Sequence, residues 1–530
     1  MDEYKTKDFP VNEVIQSSID SSLLENDTAD CLLTPFSSNQ DRANRLTESE
    51  GSNPSFKDAF KQISVCCVMS FTVLQAGLIM SYSSVLIEQL DVDMNYDLSK
   101  EDSSWIASLS VLTTPIGSLV CGPVMDKVGR KPGILIACAL SFIGWILILF
   151  VTPQFYLPLI LMARILGGLG GGMTTIALIY IPEVCHEKYR PLMLGTNSML
   201  VSLGILFVTV TCYFTRWRMM AFEFCLIILV NMIVIWLYMP ESPVWQLTMK
   251  RDRQLAESTL RWLNPNEKVF DTQLLTLNKL ARSRTDCLTD DSSPYLTQKL
   301  KSLFHTFFSP PAKQPLLILI GIMTLQQFCG GYTIVVYTIQ VFKKLGTDFG
   351  EGIDEYTALL FMGILRFVFS VVTAVISQFI GRRPLLISSA IGMALSSIAI
   401  PLHHYIDTNY PSKLSEMQWP VIFALMFVSF TALGIMNIPW SMIGELLPMN
   451  VRGTASGFLV ALAYTIMFFV VKIYPYLLDE INIDVLFLAQ GLLCILTAFY
   501  VHIFVPETLG KSLHSIQEHF YRRKEKPYQG

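Results

Sequence analysis

The chain has 530 residues, 52% of them hydrophobic and only 15% charged, with a net charge of −4. Soluble domains carry about 25% charged residues, so this composition excludes an ordinary water-soluble globular protein, and the small net charge excludes a partner such as nucleic acid. The eleven cysteines sit mostly inside apolar runs (Cys66, Cys67, Cys121, Cys138, Cys212, Cys225, Cys329 and Cys494) with no Cys-x-x-Cys or Cys/His spacing. They are expected to pack as small hydrophobes, with neither bridges nor a metal site.

Residues 1–60 are polar, Ser-rich and acidic, as in "SSIDSSLLENDTAD", and lack the basic start and apolar core of a signal peptide. They read as a disordered cytosolic tail. Beyond them the chain predicts an all-α membrane protein, because a crossing helix needs about 20 mostly apolar residues. Twelve runs meet that need: 62–83, 105–125, 133–151, 157–180, 193–213, 219–239, 315–340, 357–380, 384–402, 418–443, 453–478 and 483–505. They are continuous and do not alternate as barrel strands do.

Loop charges orient the spans. Residues 84–104 hold six acids against Lys100, whereas Lys127, Arg130 and Lys131 occupy the next loop, and Arg382, Arg383, Arg452 and the tail "YRRKEK" fall on the same side. That side is therefore expected to be cytosolic, with both termini on it. Arg216, Arg218, Lys343 and Lys344 are exceptions on the outer side. The basic loop 240–314 holds eleven Lys and Arg and helical spacing in "KRDRQLAESTLRWL" and "TQKLKSLFHTFF", which predicts short helices against the bundle. The expected organisation is a six-span half at 61–239, this linker, a second half at 315–505 and a cytosolic tail at 506–530.

Short motifs recur about 260 residues apart. "DKVGRKP" at Asp126–Pro132 returns as "QFIGRRP" at 378–384, Glu183 and Arg190 return as Glu445 and Arg452, and "PESP" with Glu241 returns as "PETLG" with Glu507. Three pairs in the same order point to an internal duplication of six spans, which places the equivalent loops on one face. Two such halves related by an axis normal to the membrane bind substrate between them near the midplane.

"DKVGRKP", "RILGGLGGG", "PESPVW", "QQFCGG", "NIPW", "GELLPMNVRG" and "PETLGKS", in this order, resemble the sugar porter family of the major facilitator superfamily over nearly the whole chain after residue 60. "SSWIASLSVLTTPIGSLVCGPVMDKVGRK" and Lys472 in "VVKIYPYLL" look like the arthropod facilitated trehalose transporter group. The resemblance implies an alternating-access carrier of a small-molecule sugar, trehalose or a hexose, in the plasma membrane. It also implies an inner gate built from the repeated charges. Asp126 and Arg130 are spaced to pair if helical, and Glu183 with Arg190 and Glu445 with Arg452 can bridge helix ends. Arg382, Glu241 and Glu507 complete the set. Gln378 stands where the first turn has Asp126, so the second clasp is expected to be weaker. Pairs that cross between the halves would hold the outward-open state.

At the substrate, Gln326 and Gln327 bring amides into an apolar span, where buried polar groups read as functional and suit sugar hydroxyls. Trp440 can stack on a sugar ring, and Pro439 with Gly434 weakens span 10 as a gating segment requires. The family pocket carries over to Gln326, Gln327 and Trp440. Elsewhere Ser198 replaces a Gln, Tyr332 and Arg366 replace Asn, Ala432 replaces Glu, and Ala463 and Met467 replace two Asn. Met436 and Asn437 interrupt the Gly-Pro expected before "IPW". A more aromatic and aliphatic pocket with a charge beside it follows. Arg366 in span 8 and Lys472 in span 11 are intramembrane cations that need partners, or in the case of Lys472 an outward reach.

Span 1 holds Tyr82 and Ser83 and no acid in "GLIMSYSSVL", which favours facilitated diffusion over proton coupling; Glu223 in span 6 is the acid left to titrate. No nucleophile elbow, phosphate loop or metal cluster is present, and Gly168–Gly172 lies inside a span, so neither an enzyme nor a cofactor is expected. A monomer is expected. The residues leave open a polyol or non-sugar solute, and a sugar sensor that does not transport.

Overall fold

The computed structural model describes residues 56–186, 188–275, 277, 310–345, 355–409, 419–447 and 452–509. The expected N-terminal tail, the helix in "TQKLKSLFHTFF" and the basic C-terminal tail lie outside these residues.

Helices account for the described chain, in the order α1 (Phe56–Phe71), α2 (Leu74–Val92), α3 (Lys100–Val128), α4 (Arg130–Leu149), α5 (Tyr156–Met173), α6 (Ile176–Val184), α7 (Arg190–Phe214) and α8 (Trp217–Tyr238). The linker helices α9 (Pro243–Thr248) and α10 (Arg253–Leu263) follow. After them come α11 (Pro310–Phe328), α12 (Gly331–Val336), α13 (Thr338–Lys344), α14 (Glu355–Ile376), α15 (Arg382–Asn409), α16 (Trp419–Leu433), α17 (Ile438–Leu446), α18 (Arg452–Glu480) and α19 (Ile483–Phe504). Eleven helical stretches among the described residues are long and apolar enough to cross a membrane. The broken run α11–α13 supplies a twelfth path across the bundle.

Local chemistry sets the boundaries. Ser99 and Asp102 form a capping box that starts α3, and Asn482 caps α19. Span 7 breaks where Gly330 takes φ +84° and closes α11 against α12, a left-handed conformation that costs a side-chain-bearing residue about 1–2 kcal/mol. Span 10 breaks between α16 and α17, with Pro439 in the first turn of α17, where its missing N–H costs no helical bond. Span 1 runs on to Val92, past its expected end at 83, because Ser83, Ser84 and Glu88 are buried rather than solvated. The polar letters there mark contacts to span 7.

The packing repeats between halves. Span 3 packs on span 6 as α4 on α8, and span 9 on span 12 as α15 on α19. Span 3 meets span 4 as α4 on α5, and span 9 meets span 10 as α15 on α16. The halves meet reciprocally, α3 against α18 and α7 against α14, which is the signature of a two-fold axis between duplicated units. Close approach needs glycine at one crossing: a Cβ on Gly168 would strike the Ser110 carbonyl, and one on Gly172 the Thr114 carbonyl. Outward faces are apolar. Leu226, Val230, Ile233 and Leu237 form an exposed stripe along α8 at helical spacing, the surface that lipid covers. The linker helix α10 buries Ala256, Leu260 and Leu263, so the helix expected from "KRDRQLAESTLRWL" is present. It is tied to span 1 where Gln62 Nε2 donates to Asn264 Oδ1 and Lys61 lies 5.1 Å over the Trp262 ring.

Candidate functional site

At the face that carries the basic turns, the same side-chain knot is built twice. In the first half Arg130 donates from Nε and Nη2 to Glu183 at 3.0 and 2.8 Å, and its Nη1 donates to the Met125 carbonyl at 3.2 Å. The Ser242 hydroxyl donates to the same Glu183 carboxylate at 2.6 Å. Glu241 accepts from the backbone N–H groups of Arg130 and Lys131 at 2.9 and 3.1 Å, at the start of α4, where a carboxylate also meets the positive helix end. In the second half Arg382 donates from Nε and Nη2 to Glu445 at 3.2 and 2.9 Å and from Nη1 to the Ser377 carbonyl. Thr508 donates to Glu445 at 2.6 Å, and Glu507 accepts from the N–H groups of Arg382 and Arg383 at 2.9 and 3.2 Å.

Gly129, with φ +111°, sits against Glu241, and Gly381 against Glu507. A side chain at either glycine would displace the carboxylate. Burial pushes Glu241 above the usual carboxylate range despite its N–H donors. Burial also pushes Glu507 upward, but N–H donors from Leu509, Arg382, Arg383 and Thr508 outweigh it and hold the carboxyl below that range.

Two expectations need correction. Glu183 pairs with Arg130, on another helix, rather than with Arg190, seven residues on, and Glu445 pairs with Arg382. The Arg190 Nε donates instead to the Cys185 carbonyl at 2.9 Å, and the Arg452 side chain lies outside the described residues. Moreover, these knots close inside each half: among the described residues none of their ion pairs joins one half to the other. The reason is geometric. The loop between spans 2 and 3, the end of span 4 and the end of span 6 converge within one half, so the acids meet the nearest guanidinium. Asp126 does approach Arg130, at 3.5 Å, but is half exposed.

Among the described residues, ionic contacts between the halves occur on the opposite face. Glu88 at the end of α2 pairs with Lys343 of α13. Lys100 at the start of α3 pairs with Asp479 of α18 at 2.5 Å, and Asp479 also holds Lys344 at 2.7 Å. Beneath them Ser84 accepts from the Ile339 N–H at 3.3 Å, Ser104 donates to the Lys472 carbonyl at 2.9 Å, and the Lys472 ammonium lies 3.9 Å over the Trp105 ring. That cation–π contact is the partner that Lys472 lacked in the sequence. This face of the seam is closed. Sequence reasoning counted Glu88 and Lys100 for topology alone; the signal was Lys343 and Lys344 standing as exceptions to the positive-inside pattern.

Between the two faces lies a polar cluster on the broken spans. Gln326 Nε2 donates to the carbonyls of Ile435 and Met436 at 2.7 and 3.3 Å, the groups freed by the break in span 10. Gln327 Nε2 donates to Gln326 Oε1 at 3.4 Å, and its own Oε1 is buried with no partner among the described residues. Trp440 Nε1 donates to the Tyr332 hydroxyl at 3.0 Å, and its ring lies 5.6 Å from that of Tyr464. Arg366 is 2% exposed, and its Nη1 reaches the Met436 sulfur at 3.7 Å. Next to the cluster a small cavity lies between the halves, lined by Met80, Ser110, Thr114 and Gly168 on one side and by Tyr464 and Met467 on the other. Ser198 is half-buried on α7, and Ala432 is buried on α16. Tyr82, by contrast, turns into its own half, donating to the Trp217 carbonyl at 2.8 Å.

Comparison with known proteins agrees with this architecture. The facilitated trehalose transporter Tret1 of Culex quinquefasciatus is 27% identical over 472 residues, covering 88% of this chain and 86% of that one. Tret1 of Bombyx mori is 26% identical over 459 residues, covering 86% of each. The solved structure of the proton:xylose symporter XylE bound to 6-bromo-6-deoxy-D-glucose superimposes with a TM-score of 0.70 at 21% identity, over 87% of this chain and all of that one. The profile described as "Sugar (and other) transporter" matches residues 65–520. A duplicated six-span bundle with a mirrored knot at one face and a polar cluster at its broken helices is thus matched along almost its whole length, and the chain belongs to the sugar (and other) transporter family.

Proposed function

We propose that this chain is a facilitative carrier of a sugar, trehalose or a hexose, working by alternating access in the plasma membrane as a monomer. The observation that carries the reading is the central cluster: two amides, one with an unpartnered acceptor, beside the Trp440–Tyr464 ring pair. Amides exchange hydrogen bonds with hydroxyls in both directions, and aromatic faces cover the apolar face of a pyranose. The names of the similar Tret1 proteins support trehalose as the first solute to test.

In this reading the basic-turn face is cytosolic, both termini lie there, and the seam closed by Glu88–Lys343 and Lys100–Asp479 faces outward. The six-span halves are residues 61–239 and 315–505, joined by the linker 240–314. Gln326, Gln327, Trp440, Tyr332, Ser198 and Arg366 surround the solute. The knots of Asp126, Arg130, Glu183 and Glu241, and of Arg382, Glu445 and Glu507, hold each inner end as a unit, with Arg190, Arg452 and Pro439 at the hinges. Rocking of the halves then opens one face as the other closes.

Counterflow of labelled trehalose, glucose and a polyol in liposomes tests the reading. Exchange of trehalose or glucose that is indifferent to a pH gradient, and that Gln327→Ala lowers at equal protein content, is the expected result. Exchange of the polyol alone, or of no solute by folded protein, would overturn it.

A further inference from the structure

The central cluster contains a charge that a neutral sugar does not explain. Arg366 is 2% exposed, in the middle of α14. A guanidinium stays charged at any pH a cell meets, and burying such a charge is costly unless an anion or several acceptors meet it. What meets it here is a thioether: Nη1 reaches Met436 Sδ at 3.7 Å, and Nε is buried without any partner among the described residues. Tyr332 is the other polar group within electrostatic reach, and its hydroxyl already accepts from Trp440.

No carboxylate of the described chain balances this charge. Glu88 is the one acidic residue among the fully buried polar and charged side chains, and it is matched by Lys343 on the far face. Two other intramembrane cations each meet a carbonyl or a ring face, although Arg164 Nε and Nη2 and the Lys472 ammonium also lack a hydrogen-bond partner among the described residues. Arg164 donates to the Ile79 carbonyl at 3.0 Å and lies 5.3 Å over the Tyr82 ring, and Lys472 lies over Trp105. Among the described residues Arg366 meets neither a carbonyl nor a ring face.

Its place in the cluster tells what is missing. Met436 joins Arg366 to Gln326 and through it to Gln327, whose Oε1 is an acceptor without a donor. One connected network therefore lacks an anion at one end and a hydroxyl donor at the other, beside two aromatic rings. A hydroxylated ring that carries a carboxylate supplies all three.

We propose that Arg366 is a specificity-determining residue that receives a carboxylate on the transported solute, so that the chain takes a sugar acid, a monoanionic pyranose, in preference to its neutral counterpart. The inference rests on the transport reading above and names the solute class of that same site. The loaded carrier is then neutral at this point, and the empty one carries the positive charge.

The test uses the full chain in liposomes and compares D-glucuronate with D-glucuronamide, which has the same shape without the charge, as inhibitors of glucose or trehalose counterflow and as solutes. Glucuronate should inhibit at least tenfold more strongly than glucuronamide and should itself exchange. Arg366→Lys should keep that order, and Arg366→Gln should erase it. The wild-type comparison decides even where a variant fails to fold: neutral sugar exchange with glucuronamide equal to or better than glucuronate overturns the inference and leaves the transport reading standing. Neutral exchange that needs chloride in wild type and loses that need in Arg366→Gln also overturns it, because the anion is then inorganic. Exchange of no solute overturns both.

Discussion

The seam opposite the basic turns makes a quantitative demand. Glu88 is 9% exposed and Lys343 is 43% exposed at its side chain, so this pair lies between a surface contact worth about 0–1 kcal/mol and a buried one that costs about 3–5 kcal/mol to break. Glu88→Gln keeps the shape and removes the charge, and the half-exposed lysine returns to water. A loss of about 1–2 kcal/mol from the closed state follows, which is a shift of about 5- to 30-fold toward the state open on this face.

Ser84 reports that shift. It is 5% exposed beneath the pair, so a Ser84→Cys thiol should react slowly with a membrane-impermeant maleimide applied to this face and correspondingly faster once Glu88→Gln is added. Combining Glu88→Lys with Lys343→Glu should slow it again, as coupled partners require. A labelling rate unchanged by Glu88→Gln, at equal expression, would show that the pair does not hold the seam.

Two more outcomes follow from the geometry. Gly330→Ala places a Cβ at φ +84° against the Gln490 side chain, so the thermal midpoint of the purified protein should fall by the equivalent of about 1–2 kcal/mol. An unchanged midpoint for Ala would remove the strain argument. The two repeat-related carboxylates should also answer acid differently. Glu507 is held below the ordinary Glu range, so it contributes stability above that range which is lost as pH falls through its depressed value. Glu241 is raised, so its protonated form is favoured by folding and its charge opposes folding at neutral pH. Glu507→Gln should therefore lower the midpoint at neutral pH and lose that effect in acid, whereas Glu241→Gln should cost less. Identical pH profiles for the two would refute the assignment.

Much of this was legible in the letters, for identifiable reasons. Apolar length gives spans directly, and a duplicated motif gives a duplicated fold, so the architecture needed no contact information. The knots were half legible. The residues Arg130, Glu183, Arg382 and Glu445 stood out, but their pairing depends on which helix ends converge, and for Glu183 sequence spacing pointed to Arg190 rather than Arg130. The hydroxyl that follows Glu241 and Glu507 in both halves, Ser242 and Thr508, was a readable signal that each acid has a companion. Glu88, Lys343 and Asp479 were not legible as a seam because their separation along the chain exceeds any local pattern. Gln326 was read as a substrate ligand, yet its amide nitrogen is engaged by the backbone freed at the span 10 break. That use could be found only once the break itself was placed.

The closure of each knot within its own half has a genetic consequence. Among the described residues every partner of Arg130 is supplied by residues 125–242, and every partner of Arg382 by residues 377–508. Among the described residues neither knot takes an ion pair from the other half. A knot closed in this way is copied complete when six spans are duplicated, with no interlocking charge required on both copies. What the fused gene had to evolve was the seam.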